Sequence, residues 1–382
     1  MHAIFIALSE SDTEGWGGQP PSRMPLTKAD YLKAEAEQQA LRLKLKGLLS
    51  HEVAQARGTS ARASPALCVR TLKSADLGKV YCVAWSAGSD LIAAAHQHGA
   101  ITVKAASNGG HKNLPILFPA SKRVVPMACA FFNEDSMLAV GGMDNVITLF
   151  DRSVVAPEER RVLTGHDGYV SALKVLTPTR ILSGSGDSTV RLWDTASGAE
   201  VSCFRAHEGD CTGLDCVAAD PHMFVSSSMD TTCRVWDVRT GKATRVFKAK
   251  YSANCVAMHP SGKMLACGCD GASFEYWDLR SYNQIARGKV KRGRCEAIAF
   301  SSSGALTYMG WDSPDAGYVM CAETFFCDKQ ARAESNSHTD TVTTMRLAPD
   351  GSALATGGFD ACTKLWTAPP GGSAVTSPRV YE

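Results

Sequence analysis

Little in this sequence is suited to building a reaction site. There is no Gly-x-x-x-x-Gly-Lys-Ser/Thr loop to cradle phosphates, no Gly-x-Ser-x-Gly elbow and no His-Glu-x-x-His pair. Cys-x-x-Cys is also missing, although the chain has 14 cysteines, most of them inside apolar strand patterns such as those around Cys129, Cys233, Cys255 and Cys362. That usage fits reduced, buried thiols of an intracellular protein, and Cys267-Gly268-Cys269 is too closely spaced for a zinc site. No apolar run reaches the roughly 18 residues of a membrane span, and Ile4–Leu8 is too short, with acids rather than bases around it, to be a secretory signal. The chain ends Arg379-Val380-Tyr381-Glu382 with no terminal cysteine to lipidate, so membrane attachment is expected to come from a partner. Net charge is only +2, and the densest basic cluster, Lys289 to Arg294, reads as a solvated loop and not a track for nucleic acid. No metal, cofactor or catalysis is expected.

What the sequence does have is repetition. Gly165-His166-Asp167-Gly168-Tyr169 leads through an apolar run to Ser183-Gly184-Ser185-Gly186-Asp187, and the alternating stretch Thr189–Asp194 closes the unit. Trp193 to Trp236 is 43 residues, Trp236 to Trp277 is 41, and Trp277 to Trp366 is 89, room for two units. Counting backwards, Phe150 stands 43 before Trp193 and Lys104 stands 46 before Phe150. Seven units therefore end near 104, 150, 193, 236, 277, 321 and 366. The period, the Gly-His start and the Trp-Asp end resemble the WD repeat, whose four-stranded blades close into a ring and so dispose of exposed sheet edges.

With 382 residues, 45 % of them hydrophobic, the chain can bury a large core. The expected fold is all-β: a seven-bladed WD-repeat β-propeller over 66–366, preceded by an α-helical arm. Residues 1–26, rich in Gly, Pro and acids from residue 9 on, read as a disordered extension, 27–57 as the arm, 58–65 as a linker and 367–382 as a flexible tail. Thr27 fits a helix N-cap, and Ala, Leu, Lys, Glu and Gln dominate to about Gln55. Leu41, Leu45, Leu48, Leu49 and Val53 make a narrow stripe flanked by charge, which favours a two-stranded coiled coil with a second chain over a helix folded back on its own propeller. The last unit lacks an outer strand on its C-terminal side, and residues 66–72 are placed to supply it, locking the two chain ends together.

His166, His207 and His338, followed by Asp187, Asp230 and Asp360 and closed by Trp193, Trp236 and Trp366, invite comparison with a catalytic relay. Repetition argues for structure instead: a buried imidazole needs both nitrogens satisfied, and a turn Asp with a Ser hydroxyl does that. The first and sixth units have lost the closing Trp-Asp. The fifth has Lys248-Ala249-Lys250 in place of Gly-His, so the polar network is expected to weaken there while apolar alternation holds the sheet.

A helical arm leading into seven such units resembles the beta subunit of heterotrimeric guanine nucleotide-binding proteins. The resemblance runs from Lys28 to Trp366 and is carried by Arg70-Thr71-Leu72, Gly78-Lys79-Val80-Tyr81, Met127-Ala128-Cys129, Gly141-Gly142-Met143-Asp144-Asn145 and His207-Glu208-Gly209-Asp210. It implies a non-catalytic signal transducer. The arm would pair with a lipidated gamma subunit through the leucine stripe, holding the chain at the cytoplasmic face of the plasma membrane. One mouth of the ring would dock an alpha subunit or downstream effectors. Carried over by position, that mouth would comprise Leu77, Lys79, Tyr81, Met127, Met143, Asn145, Tyr169, Asp210, Asp230, Asn254 and Phe359. The chain departs from the family's pattern at Val125 and Phe359, where tryptophans are usual, and at Ala100, Thr212, Ser252 and Cys269. The rival readings are a general WD-repeat adaptor without a gamma partner, and an enzyme working at a propeller mouth.

Overall fold

The computed structural model describes residues 67–106, 124–152, 158–217, 220–290, 292–312, 317–324, 332–334 and 338–367. The arm with Leu41, Leu45, Leu48, Leu49 and Val53, the linker, and the tail beyond Thr367 lie outside the described residues.

The described strands form seven antiparallel sheets, the blades of a β-propeller. Their innermost strands are Val80–Trp85, Pro126–Phe132, Val170–Thr177, Cys211–Cys216, Ala253–Met258, Arg294–Phe300 and Val342–Leu347. Third strands fall at Ile101–Ala105, Ile147–Asp151, Thr189–Asp194, Thr232–Asp237, Ser273–Asp278, Tyr318–Glu323 and Cys362–Thr367, where the spacing of the units places them. The first blade has three strands among the described residues and the others four.

The seventh blade takes its outermost strand from the opposite end of the described chain. Leu67–Lys73 pairs antiparallel with Cys362–Thr367, Leu67 opposite Thr367 and Lys73 opposite Cys362. The same strand reaches the first blade, because the Arg70 guanidinium donates to the carbonyls of Ala105 and Ala106 at 3.0 and 3.2 Å.

Strands of the inner part of each blade are buried on both faces, since a blade lies between two others. They accordingly read as nearly continuous buried runs, such as Leu265–Cys269, mostly small residues, and Thr189–Trp193, in which even Arg191 is buried. The apolar clusters are interfaces between blades. Val80, Val83 and Trp85 pack on Ala348, Ala355 and Leu365, and Phe204 and Leu192 pack with Leu214, Phe224 and Trp236. Between second and third strands the chain turns through a left-handed residue, Asn145, Ser188, Thr231 or Ala361, with φ from 59 to 69°. Outside glycine and asparagine that conformation costs about 1 kcal/mol, offset where a preceding aspartate accepts the N–H two residues on, as Asp187 does from Thr189 and Asp230 from Thr232.

Candidate protein-docking face

In every blade the innermost strand starts beside the end of the second, as in Val80 opposite His96 and Val342 opposite Gly358. The turns between second and third strands therefore share one face of the propeller with the segments leading into each innermost strand. All eleven residues assigned by resemblance to the mouth lie at this face. Leu77, Lys79, Tyr169 and Asp210 lead into innermost strands, Tyr81, Met127 and Asn254 begin them, and Met143, Asn145, Asp230 and Phe359 sit in the turns.

Three of the eleven form one cluster. The Lys79 ammonium stands 4.1 Å from the centre of the Phe359 ring, and Tyr81 meets that ring edge-on at 5.5 Å. Tyr169 donates its hydroxyl to Asp210 at 2.8 Å, and burial, followed by that carboxylate, pushes the phenol up to about 12. Asn254 donates to Asp270 at 2.9 Å and Asn145 to the carbonyl of Asp167 at 3.3 Å, so both amides are oriented. Met143 is 57 % exposed in its turn. Met229, 51 % exposed in the equivalent turn of the fourth blade, belongs to the same face and was not among the eleven. The signal that could have found it is its register with Met143: each precedes an aspartate in the corresponding turn.

Asp230 differs from the rest. Its carboxylate is 7 % exposed and accepts from His207 Nδ1 at 2.7 Å, Glu208 N at 3.1 Å, Thr232 N at 2.8 Å and Thr232 Oγ1 at 2.6 Å. Little acceptor capacity is left for a partner. The imidazole passes the network inward: His207 Nε2 lies 2.7 Å from Ser226 Oγ, which accepts from Trp236 Nε1 at 2.8 Å. With Asp230 accepting at Nδ1, that nitrogen carries the proton, and the serine donates to Nε2. The same chain links Asp187, His166, Ser183 and Trp193, and a threonine version links Asp360, His338, Thr356 and Trp366. Ser183, Ser226 and Thr356 are each 0 % exposed, out of reach of any substrate. In the fifth blade Cys267 occupies the position of these hydroxyls, Ala249 replaces the histidine, and Trp277 Nε1 is buried without a partner. The polar network is lost there while the four-stranded sheet persists.

The face surrounds a central channel. Each innermost strand slips register once near its start, and the extra residues are Tyr81, Met127, Ser171, Thr212, Asn254, Glu296 and Thr343. A bulge re-aims a side chain, and all seven line the same narrow cavity of about 90 Å³. Several of them clasp the next blade: Thr212 donates to the Ala253 carbonyl at 2.6 Å, Thr343 to the Val80 carbonyl at 2.6 Å, and Ser171 to the carbonyl of Cys211. Strict two-residue alternation gives no sign of these bulges, so the sequence alone does not point to Ser171, Glu296 or Thr343.

Among the described residues no group of His, Cys, Asp and Glu is arranged to hold a metal, the cysteines are free thiols, and no helix is long and apolar enough to cross a membrane.

The repeat family described as "WD domain, G-beta repeat" matches residues 157–194, 198–237, 241–278 and 330–367. A guanine nucleotide-binding protein subunit beta of Arabidopsis thaliana is 30 % identical over 354 residues, covering 88 % of this chain and 93 % of the relative. Its counterpart in Solanum tuberosum is 31 % identical over 320 residues, covering 78 % and 83 %, and that of Zea mays 30 % over 325 residues, also covering 78 % and 83 %. With identity spread over most of both partners and the repeats folded as seven blades, the chain belongs to the family of guanine nucleotide-binding protein beta subunits within the WD-repeat proteins.

Proposed function

We propose that this chain is a non-catalytic signalling subunit whose bulge-bearing face docks a G protein alpha subunit, or effectors after its release, and whose residues 27–57 pair with a gamma subunit. The observation that carries the docking half is the cluster of Lys79, Tyr81 and Phe359 on the same face as the exposed Met143 and Met229. Aromatic, methionine and cationic groups held on rigid turns are the composition of a protein-binding hot spot. Kinship with proteins named as beta subunits supports it. The gamma half rests on the leucine stripe of the sequence. In this reading the lipidated gamma partner holds the complex at the cytoplasmic face of the plasma membrane.

The double variant Lys79→Ala, Tyr81→Ala is expected to weaken binding of a GDP-loaded alpha subunit at least tenfold, as loss of hot-spot side chains does, while moving the melting temperature by no more than about 2 °C. Calorimetric titration and thermal melts read the two quantities. Parallel losses in both would make these packing residues and remove the docking assignment.

A further inference from the structure

Deeper in the channel the seven innermost strands present a second ring, at the third residue after each bulge. Alanines occupy it in four blades, and Lys174, Asp215 and Arg346 in the other three. Lys174 and Asp215, on adjoining blades, pair at 2.6 Å, and Asp215 also accepts the Met258 N–H at 2.7 Å. The Arg346 side chain donates only to its neighbour's carbonyl, Met345 O, at 3.1 Å, and no carboxylate pairs with it among the described residues. The ring therefore holds two cations and one anion.

Between Arg346 and Lys174 lie the first and second blades, where Ala84 and Ala130 leave open space. A cavity of about 600 Å³ fills it and opens on the side opposite the docking face. Its walls are largely apolar, from Trp85, Phe131, Leu173 and Leu347; of the two carboxylates that also line it, Glu134 is exposed and Asp135 accepts the Ala87 and Gly88 N–H groups, while Lys174 is held by Asp215. The main chain at Arg346 is anchored from behind, because its carbonyl accepts the Trp85 indole N–H at 2.9 Å. The volume is that of a small-molecule pocket. A planar guanidinium offers a fork that matches a carboxylate through two parallel hydrogen bonds.

We propose that this opposite mouth of the channel binds a small monocarboxylate with an apolar body, the carboxylate on Arg346 and the body against Trp85, Phe131 and Leu173. One uncompensated cation selects a monoanion over a polyphosphate, and the apolar walls select against a bare inorganic anion. Arg346 also borders the narrow cavity under the docking face, but none of the eleven docking residues lines the larger cavity, and the proposal stands whether or not that docking occurs.

The test is calorimetric titration of the full chain with 4-phenylbutyrate and with 4-phenylbutanol at about pH 5.5, where a carboxylate is ionised. The neighbouring Cys82 thiol, whose thiolate would pair with the guanidinium, is more fully protonated at that pH than at neutrality. Its hydrogen bond with Cys129, against its burial, and then the charge of Arg346 draw it down to about 6. Saturable one-to-one binding of the acid is expected, at least tenfold tighter than that of the alcohol. Arg346→Met is expected to remove that preference, Arg346→Lys to restore part of it, and Ala84→Leu, which fills the cavity, to abolish binding of both. No saturation by about 10 mM acid, a constant above any useful affinity, would overturn the proposal. So would equal affinity for acid and alcohol, or an unchanged affinity in a folded Arg346→Met protein. If the variants fail to fold, the comparison of acid with alcohol on the intact chain still decides.

Discussion

A chain that begins at Ser74 is expected not to fold, whereas one that begins at Ala66 melts cooperatively. The two differ by the strand Leu67–Lys73, which contributes six residue pairs to the edge of Cys362–Thr367, buries Leu72, and sends Arg70 to the carbonyls of the first blade. Removing it leaves the seventh blade three-stranded, with an open row of N–H and C=O groups beside a shallow apolar surface, the arrangement that templates aggregation. It also unties the ring, because nothing else among the described residues joins the two ends of the chain by a strand pair. Soluble yield and circular-dichroism melts of the two chains measure the difference, and a synthetic peptide of residues 66–74 should restore part of it. A Ser74 chain melting within a few degrees of the Ala66 chain would show that the blades hold together without the closing strand.

The second large effect is expected at Asp230→Ala. The carboxylate takes four hydrogen bonds at 7 % exposure, so its loss strands the His207 Nδ1–H, two backbone N–H groups and the Thr232 hydroxyl together. Buried donors left unpaired cost about 1–3 kcal/mol each where water cannot replace the partner, and partial access to water brings the whole to about 3 kcal/mol. For a propeller of about 300 residues, with an unfolding entropy of about 2.1 cal/mol/K per residue, that is a fall in melting temperature of about 5 °C. The variant Asp230→Asn keeps one acceptor and should recover part of the loss. Any weakening of alpha-subunit binding in Asp230→Ala should follow from the loosened turn, and so accompany the lower melting temperature, unlike the Lys79 and Tyr81 pair.

The effect has a pH signature. Burial by itself would raise the Asp230 carboxyl, but hydrogen bonds from Thr232, His207 and Glu208 outweigh it and hold the group at about 2. A carboxyl lowered on folding from about 3.9 contributes stability that is complete above that value and is lost as pH falls toward 2. The gap between wild type and Asp230→Ala should therefore shrink over that interval. His207 acts in the same direction at higher pH. Burial lowers its imidazole more than Asp230 raises it, so acidification below about 6.5 protonates the unfolded chain first and destabilises the fold. Melts of the wild type at pH 7 and 5 test His207, and the gap measured at pH 4, 3 and 2 tests Asp230; a gap that widens between pH 4 and pH 2 would contradict the assignment.

How much of this was legible beforehand depends on the range of the signal. The Trp-Asp closures are local, so the third strands were placed correctly even in the first and sixth blades, where Lys104 and Cys321 had to be reached by counting. The strand that closes the ring followed from a missing edge. The channel was not legible. A bulge such as that at Tyr81 or Ser171 adds a residue without disturbing composition, and Lys174 lay hidden inside what reads as an apolar run from Val170 to Leu176. The meeting of Lys174 with Asp215, or the isolation of Arg346, depends on neighbours one blade apart, roughly forty residues away in sequence. The conflict at Asp230 was likewise invisible: the sequence places it both in the buried network and at the docking mouth, and only the four short contacts show how little of it remains for a partner.

The pairing of Leu67 with Thr367 sets a timetable for synthesis. A ribosome adding about 5–20 residues per second releases the first partner of that pair some 15–60 s before the second exists. Throughout that interval the N-terminal strand has no mate and the completed blades have no final neighbour to press against. A nascent chain of this design needs something to shield it, and a cell short of chaperone capacity should lose this protein sooner than one whose first and last residues never have to meet.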